Sequence, residues 1–122
     1  MRQSSDYMII YSFDKGVLVY NQTEYRADIL KALGQSTRMK IIDFLREGER
    51  CVCEIFPAIG EEQSNTSRHL NLMLSSGILT KRKDGIKIYY AVKHPEVLKI
   101  VDLATLIMIQ EINGRQRLLK AV

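Results

Sequence analysis

From residue 23 onward apolar positions recur mostly at helical spacing, and only Ile78 to Val92 breaks into extended runs. Ahead of that rhythm, Tyr7 to Phe13 and Val17 to Tyr20 are two short β-prone runs around Asp14-Lys15-Gly16. They predict a hairpin with a glycine-containing turn, which needs packing against the rest because an isolated hairpin is only marginally stable. Thr23 is a candidate N-cap for a first helix in which Ala27, Leu30 and Leu33 recur at spacings of three, closed by Gly34. Ser36 or Thr37 can cap a second, whose core stripe is Met39, Ile41, Ile42, Phe44 and Leu45 before Gly48. A short third helix covers Val52 to Ile59 and stops at Gly60. Ser64 or Asn65 caps a fourth, with Thr66, Leu70, Met73 and Leu74 inward and Gly77 at its end.

Two helices joined across Gly60 to Gln63 form a helix-turn-helix. Beyond Gly77, Ile78 to Lys83 and Ile86 to Val92 flank Asp84-Gly85, a strong two-residue hairpin signal. Pro95 suits the first turn of a last helix running to about Arg115. Its Val97, Ile100, Val101, Ala104, Ile107, Met108 and Glu111 make an apolar face wider than one small core requires. The expected fold class is mainly α with a small β-hairpin, a winged helix-turn-helix. Residues 1–22 form an arm, 23–116 the domain and 117–122 a tail.

Length and charge narrow the function. A chain of 122 residues buries a core without disulfide staples. The N-terminus has no basic stretch followed by a signal-length apolar run, so the protein is expected in the cytoplasm. Val97 to Ile112 is interrupted by Lys99, Asp102, Gln110 and Glu111, too short and too polar for a bilayer span. Of the net charge of +4, a share of +3 lies between Glu61 and Lys93, where six bases face three acids. That third of the chain is the candidate anion-binding face.

Its chemistry suits duplex DNA. A recognition helix presents polar side chains to base edges in a major groove about 12 Å wide. Gln63, Ser64, Asn65, Ser67, Arg68 and Asn71 supply them, with positions 64, 68 and 71 on one helical face opposite Thr66, Leu70 and Met73. Lys81, Arg82, Lys83 and Lys87 around the hairpin tip can lie along the phosphate backbone or dip into the minor groove. Taken alone, such lysines read equally well as a charged strand edge that resists aggregation. His69 is turned towards the second helix and reads as a packed histidine. No Ser/His/Asp cluster, phosphate loop or paired catalytic carboxylates occur, and C-x-C lacks the C-x-x-C spacing of thioredoxin-like enzymes. No enzyme is expected. The alternative class is a winged-helix interaction module that binds a protein partner through its last helix or N-terminal hairpin.

Five segments in register resemble the ArsR/SmtB winged-helix repressors: Leu33-Gly34-Gln35-Ser36-Thr37-Arg38-Met39-Lys40-Ile41-Ile42, Cys51-Val52-Cys53-Glu54-Ile55, Gln63 to Leu70, Ser76-Gly77-Ile78-Leu79, and the Asp84-Gly85 wing ending Tyr89-Tyr90. The resemblance covers roughly residues 25 to 112 and leaves the first 22 unexplained. It implies a homodimer built on the first and last helices, a DNA operator of two-fold symmetry, and repression released by a small inducer, commonly a metal or metalloid ion.

In the arsenic- and cadmium-responsive members a Cys-Val-Cys motif opens the helix before the recognition helix, and Cys51 and Cys53 fall on it. The resemblance thus implies arsenite or another thiophilic metal(loid) ion as inducer; no cofactor follows from the residues themselves. Thiolates suit soft ions, and a helix N-terminus lowers thiol pKa. Some members add a third cysteine three residues after the second, where this chain has Phe56. Cadmium-type members draw on cysteines in the N-terminal arm, and this arm has none. The family's other site, at the last helix, aligns with His94, Glu96, Ile107 and Gln110, two of them unsuitable, so zinc is not expected there.

Residues i and i+2 of a helix project about 200° apart, so both sulfurs meet one ion only if a cysteine leaves helical geometry. Binding or oxidation is therefore expected to deform the start of the helix that supports the recognition helix. Equally open is a structural reading, with Cys53 filling a core position and Cys51 capping nothing in particular.

Overall fold

The computed structural model describes residues 7–12 and 16–121, excepting the side chains of 10–20 and 121. Strands β1 (Tyr7–Ser12) and β2 (Gly16–Asn21) pair antiparallel from Tyr7↔Asn21 to Ser12↔Gly16. Asp14 and Lys15 of the expected turn lie outside the described residues. Helices α1 (Gln22–Leu33) and α2 (Ser36–Phe44) follow, then β3 (Arg50–Cys51), α3 (Val52–Ile59) and α4 (Gln63–Ser75). The wing strands β4 (Leu79–Asp84) and β5 (Lys87–Val92) precede α5 (Glu96–Ala121).

The core gathers where α2, α3, α4 and the wing base meet. Ile41, Ile42, Ile55, Leu70 and Met73 are fully buried there, joined by Leu33, Ile78, Leu79, Val97 and Val101. Each large apolar side chain so buried contributes about 1.5–3 kcal/mol relative to exposure. The helix-turn-helix corner turns on Gly60, at φ 71°, where a side chain is strained. The Glu61 N–H donates to the Phe56 carbonyl at 3.1 Å, closing the end of α3. At the other end of α4 the Ile78 N–H donates to Met73 O at 2.9 Å and the Lys93 N–H to Ile78 O at 3.0 Å. The first ties the start of the wing to the recognition helix, and the second ties the end of the wing back to its start.

Several boundaries differ from expectation. Asn21, not Thr23, caps α1: its Oδ1 accepts from the Glu24 N–H at 3.0 Å. Gln35, not Ser36 or Thr37, caps α2 by accepting from the Arg38 N–H at 3.0 Å. Helix α4 begins at Gln63 behind Glu62, with no side-chain cap, so Ser64 and Asn65 lie inside its first turn. The wing turn is Gly85-Ile86 rather than Asp84-Gly85, since Asp84 and Lys87 close the ladder. Gly85 takes φ 63° while no non-glycine residue among those described has positive φ, the pattern of a II′ turn with glycine first. Helix α5 continues past Arg115 to Ala121, because an interior Gly114 costs only about 1 kcal/mol and no proline follows it. Strand β3 was not foreseen; two residues are too few to show a period. It pairs with β5, giving the sheet order β3-β5-β4.

Helix α5 is two-sided in an unusual proportion. Val97 and Val101 dock on the core, and Arg46, two residues past α2, binds Asp102 at 2.9 Å. Beyond them Leu103, Leu106, Ile107, Met108, Ile109 and Ile112 are all exposed. Tyr25 and Leu30 of α1 are exposed too; Ile29, Ala32 and Leu33 make its inward face instead of the Ala27–Leu30–Leu33 row.

Candidate nucleic-acid interface

Helix α4 divides cleanly. Thr66, His69, Leu70 and Met73 are buried, while Gln63, Ser64, Arg68 and Asn71 are exposed and Asn65 and Ser67 are half-buried. The exposed residues stand four and three apart, one surface of the helix. A hydrogen-bonded chain runs beneath it. Thr37 Oγ1 donates to Glu61 Oε1 at 3.4 Å, Asn65 Nδ2 donates to Glu61 Oε2 at 3.0 Å, and Arg68 Nη2 donates to Asn65 Oδ1 at 2.6 Å. Glu61, absent from the expected site, thus ties α2 to the recognition helix and orients Arg68 through Asn65. Its only sequence signal is a carboxylate four residues before an amide.

His69 faces α2, as its place in the sequence suggested: Arg38 Nη1 lies 3.5 Å from its Nδ1. Burial holds its pKa below the ordinary value, and the Arg38 and Arg68 cations push the same way.

The wing cations are all exposed but not equivalent. Successive residues of a strand point to opposite faces. Lys81 and Lys83 share the face of Leu79; Arg82 shares the other with Asp84, and Lys87 stands opposite Asp84 in the ladder. Arg82 is already engaged. Its Nη2 donates to Glu49 Oε1 at 2.6 Å and its Nε to Glu49 Oε2 at 3.2 Å, with Asp84 at 3.7 Å and the Tyr89 ring centroid 4.8 Å from its guanidinium carbon. The Glu49 carboxylate is held below its usual pKa and Arg82 above its own, chiefly by their mutual hydrogen bond. Glu49 is a second residue the sequence did not single out, because its partner is 33 positions away. Ile86 stands 98% exposed at the tip.

The cysteines reverse the structural expectation. Cys51 is the buried one, at 3%, and Cys53 is exposed. Cys51 also caps α3: its Sγ accepts from the Cys53 N–H at 3.2 Å while the Cys51 N–H donates to Glu54 Oε1 at 3.3 Å. The two sulfurs are joined as a disulfide. One cysteine has left helical geometry, as two sulfurs two residues apart require: Cys51 sits outside α3 at φ −67° and ψ 145°. No group of three His, Cys, Asp or Glu side chains suited to a metal ion occurs among the described residues.

Residues 35–81 match the model described as bacterial regulatory protein, arsR family. An uncharacterized HTH-type transcriptional regulator of Methanocaldococcus jannaschii is 40% identical over 83 residues, spanning 65% of this chain and 93% of that protein. The cadmium resistance transcriptional regulatory protein CadC of Listeria innocua is 33% identical over 90 residues, 73% of this chain and 76% of its own. The chain belongs to the arsR family. Among solved structures, the homodimeric winged helix-turn-helix DNA-binding domain of a possible ArsR-family transcriptional regulator from Mycobacterium bovis superposes with a TM-score of 0.69 at 27% identity, over 75% of this chain and 85% of that one. ArsR-family membership makes the chain a DNA-binding transcriptional regulator and not an enzyme. Among the described residues no helix is long and apolar enough to cross a membrane.

Proposed function

We propose that the chain is a cytoplasmic, homodimeric repressor that reads a two-fold operator with paired α4 helices and changes its grip with the thiol state of Cys51 and Cys53. The observation that carries the DNA reading is the exposed Ser64–Arg68–Asn71 face set back to back with buried Thr66, Leu70 and Met73. Gln63, Asn65 and Ser67 flank that face for base or phosphate contacts, and Lys81, Lys83 and Lys87 supply wing charge. The uncapped N–H groups at the start of α4 add donors that suit a phosphate oxygen. The exposed apolar side chains of α5, with Tyr25 and Leu30 of α1, support dimerisation, since large apolar side chains left exposed in such number mark an interface. Half-sites then lie about 34 Å apart on one side of the duplex.

The thiol reading rests on the two bonded sulfurs at the cap of α3, one of them on the exposed Cys53. In oxidation by hydrogen peroxide the exposed Cys53 thiol gives up its proton, the thiolate attacks a peroxide oxygen and becomes a sulfenic acid, and the expelled hydroxide takes up that proton as water. Cys51 sulfur then displaces the sulfenic oxygen as a second water and leaves the disulfide. Two thiols and one hydrogen peroxide give one disulfide and two waters.

Fluorescence anisotropy with a labelled operator duplex tests the reading over a salt range of roughly 50–300 mM, using reduced, peroxide-oxidised and arsenite-treated protein beside the Cys51→Ser/Cys53→Ser double variant. Steeply salt-dependent binding that differs between reduced and oxidised protein, and not in the double variant, is the expected result. Absence of duplex binding at low salt overturns the repressor reading in favour of a protein-interaction module. Identical binding in every thiol state leaves the cysteines structural, and a response to arsenite alone replaces oxidation with a two-thiol ion.

A further inference from the structure

The cysteine strand and the wing are one sheet, and a single row of residues crosses it. Cys51 on β3 stands opposite Tyr89 on β5, and Tyr89 stands opposite Arg82 on β4. Residues directly opposite in an antiparallel pair share a face. Two residues before Cys51, Glu49 reaches back across the same sheet to grip Arg82 through both carboxylate oxygens. Glu49 follows Gly48, whose φ of 146° turns the chain into β3. Arg50, between Glu49 and Cys51, is engaged separately, its guanidinium carbon 5.6 Å from the Phe44 ring centroid and its Nη1 3.7 Å from Glu54. Only two residues pair β3 with the sheet, so the position of Glu49 depends on how firmly Cys51 is held.

We propose that Glu49 is a positioning residue that passes the bonding state of Cys51 to the wing by holding Arg82 away from DNA or releasing it. The inference rests on the thiol reading above and names its transmitter. Glu49 and an operator phosphate are rival ligands for one guanidinium, both matched to its planar fork of donors. In the disulfide form Cys51 is pinned to Cys53 at the start of α3, β3 is fixed, and the clasp is closed. In the dithiol form Cys51 is no longer tied to Cys53, and a shift of about an ångström at Glu49 is enough to break a two-point contact whose bonds already span 2.6 and 3.2 Å. Arg82 then turns to phosphate. An exposed clasp is suited to this exchange, since solvent screening keeps such pairs weak enough to be replaced.

The test compares the salt dependence of operator binding for wild type, Glu49→Gln and Arg82→Ala, each reduced and oxidised. Mass spectrometry verifies the loss of two hydrogens in each oxidised sample, and thermal melting verifies that each variant is folded. One phosphate contact contributes about 0.9 to the slope of log affinity against log salt, which is roughly a threefold change in affinity between 50 and 200 mM. Reduced wild type is expected to show the steeper slope by about that amount per half-site. Glu49→Gln should show the steep slope in both states, and Arg82→Ala the shallow slope in both. A Glu49→Gln protein that keeps the wild-type redox difference overturns the transmitter and leaves the thiol reading standing. If wild type itself binds alike in both states, the transmitter and the thiol reading fall together.

Discussion

The recognition helix and the wing, the two elements of the proposed DNA interface, distribute their side chains in opposite ways. A period near 3.6 collects Ser64, Arg68 and Asn71 on one surface and sends Thr66, Leu70 and Met73 to the other. A period of two deals the wing cations alternately, Lys81 and Lys83 to one face, Arg82 and Lys87 to the other. The helix therefore concentrates its polar groups where a groove can receive them. The wing offers two smaller charged faces, and one of its cations is already held by Glu49.

The contrast breaks most completely at the core side of the helix. Leu70 is fully buried among the residues joining α4 to α2 and α3, so Leu70→Ala should cost about 2–5 kcal/mol of stability, read as a fall in the urea midpoint. Lys81→Ala on the exposed wing should stay within about 0.5 kcal/mol of wild type in the same experiment. Equal losses would mean that the wing, not only the helix, is packed into the fold.

On the DNA side, Arg68→Ala should weaken binding to the operator by about 1–3 kcal/mol and relax discrimination among operator variants. Unchanged operator affinity removes Arg68 from the interface. Lys83→Ala should act more gently and without regard to sequence, lowering the salt slope by about one for each phosphate that the lysine neutralises. A sequence-dependent effect of Lys83→Ala would instead place the wing tip at base edges.

How much of this was legible beforehand follows from the range over which each signal acts. The bounds of α3 and the inward residues of α4 follow from local spacing and glycine stops, and the structure keeps them. The caps misread a local ambiguity: Asn21 and Gln35 stand one position before helices in which Thr23 and Ser36 are equally able to accept. Strand β3 and the Glu49–Arg82 clasp were invisible because both are made across the sheet, by residues more than thirty positions apart. Local spacing starts α3 at Val52 and leaves Cys51 before it, but only the pairing of Cys51 with Tyr89 across the sheet decides which cysteine is buried. That pairing buries Cys51 against the sheet and leaves Cys53, inside α3, exposed.

The smallest expected effect lies between the two faces of α4, at His69. Arg38 Nη1 donates toward its Nδ1, so that nitrogen accepts and the ring is neutral with its proton on Nε2. Protonation would set a donor against a donor, beside the Arg68 cation. The lowered pKa therefore means that the unfolded chain takes up this proton first, near an ordinary value of about 6.5. The contribution to stability is present above that pH and is lost as pH falls from there through the lower folded value. Between roughly pH 7.5 and 5.5 the urea midpoint of wild type should fall more than that of His69→Gln, the difference isolating this group from the carboxylates that titrate lower. Parallel falls in the two proteins would show that the histidine is solvated and that Arg38 sets nothing but its orientation.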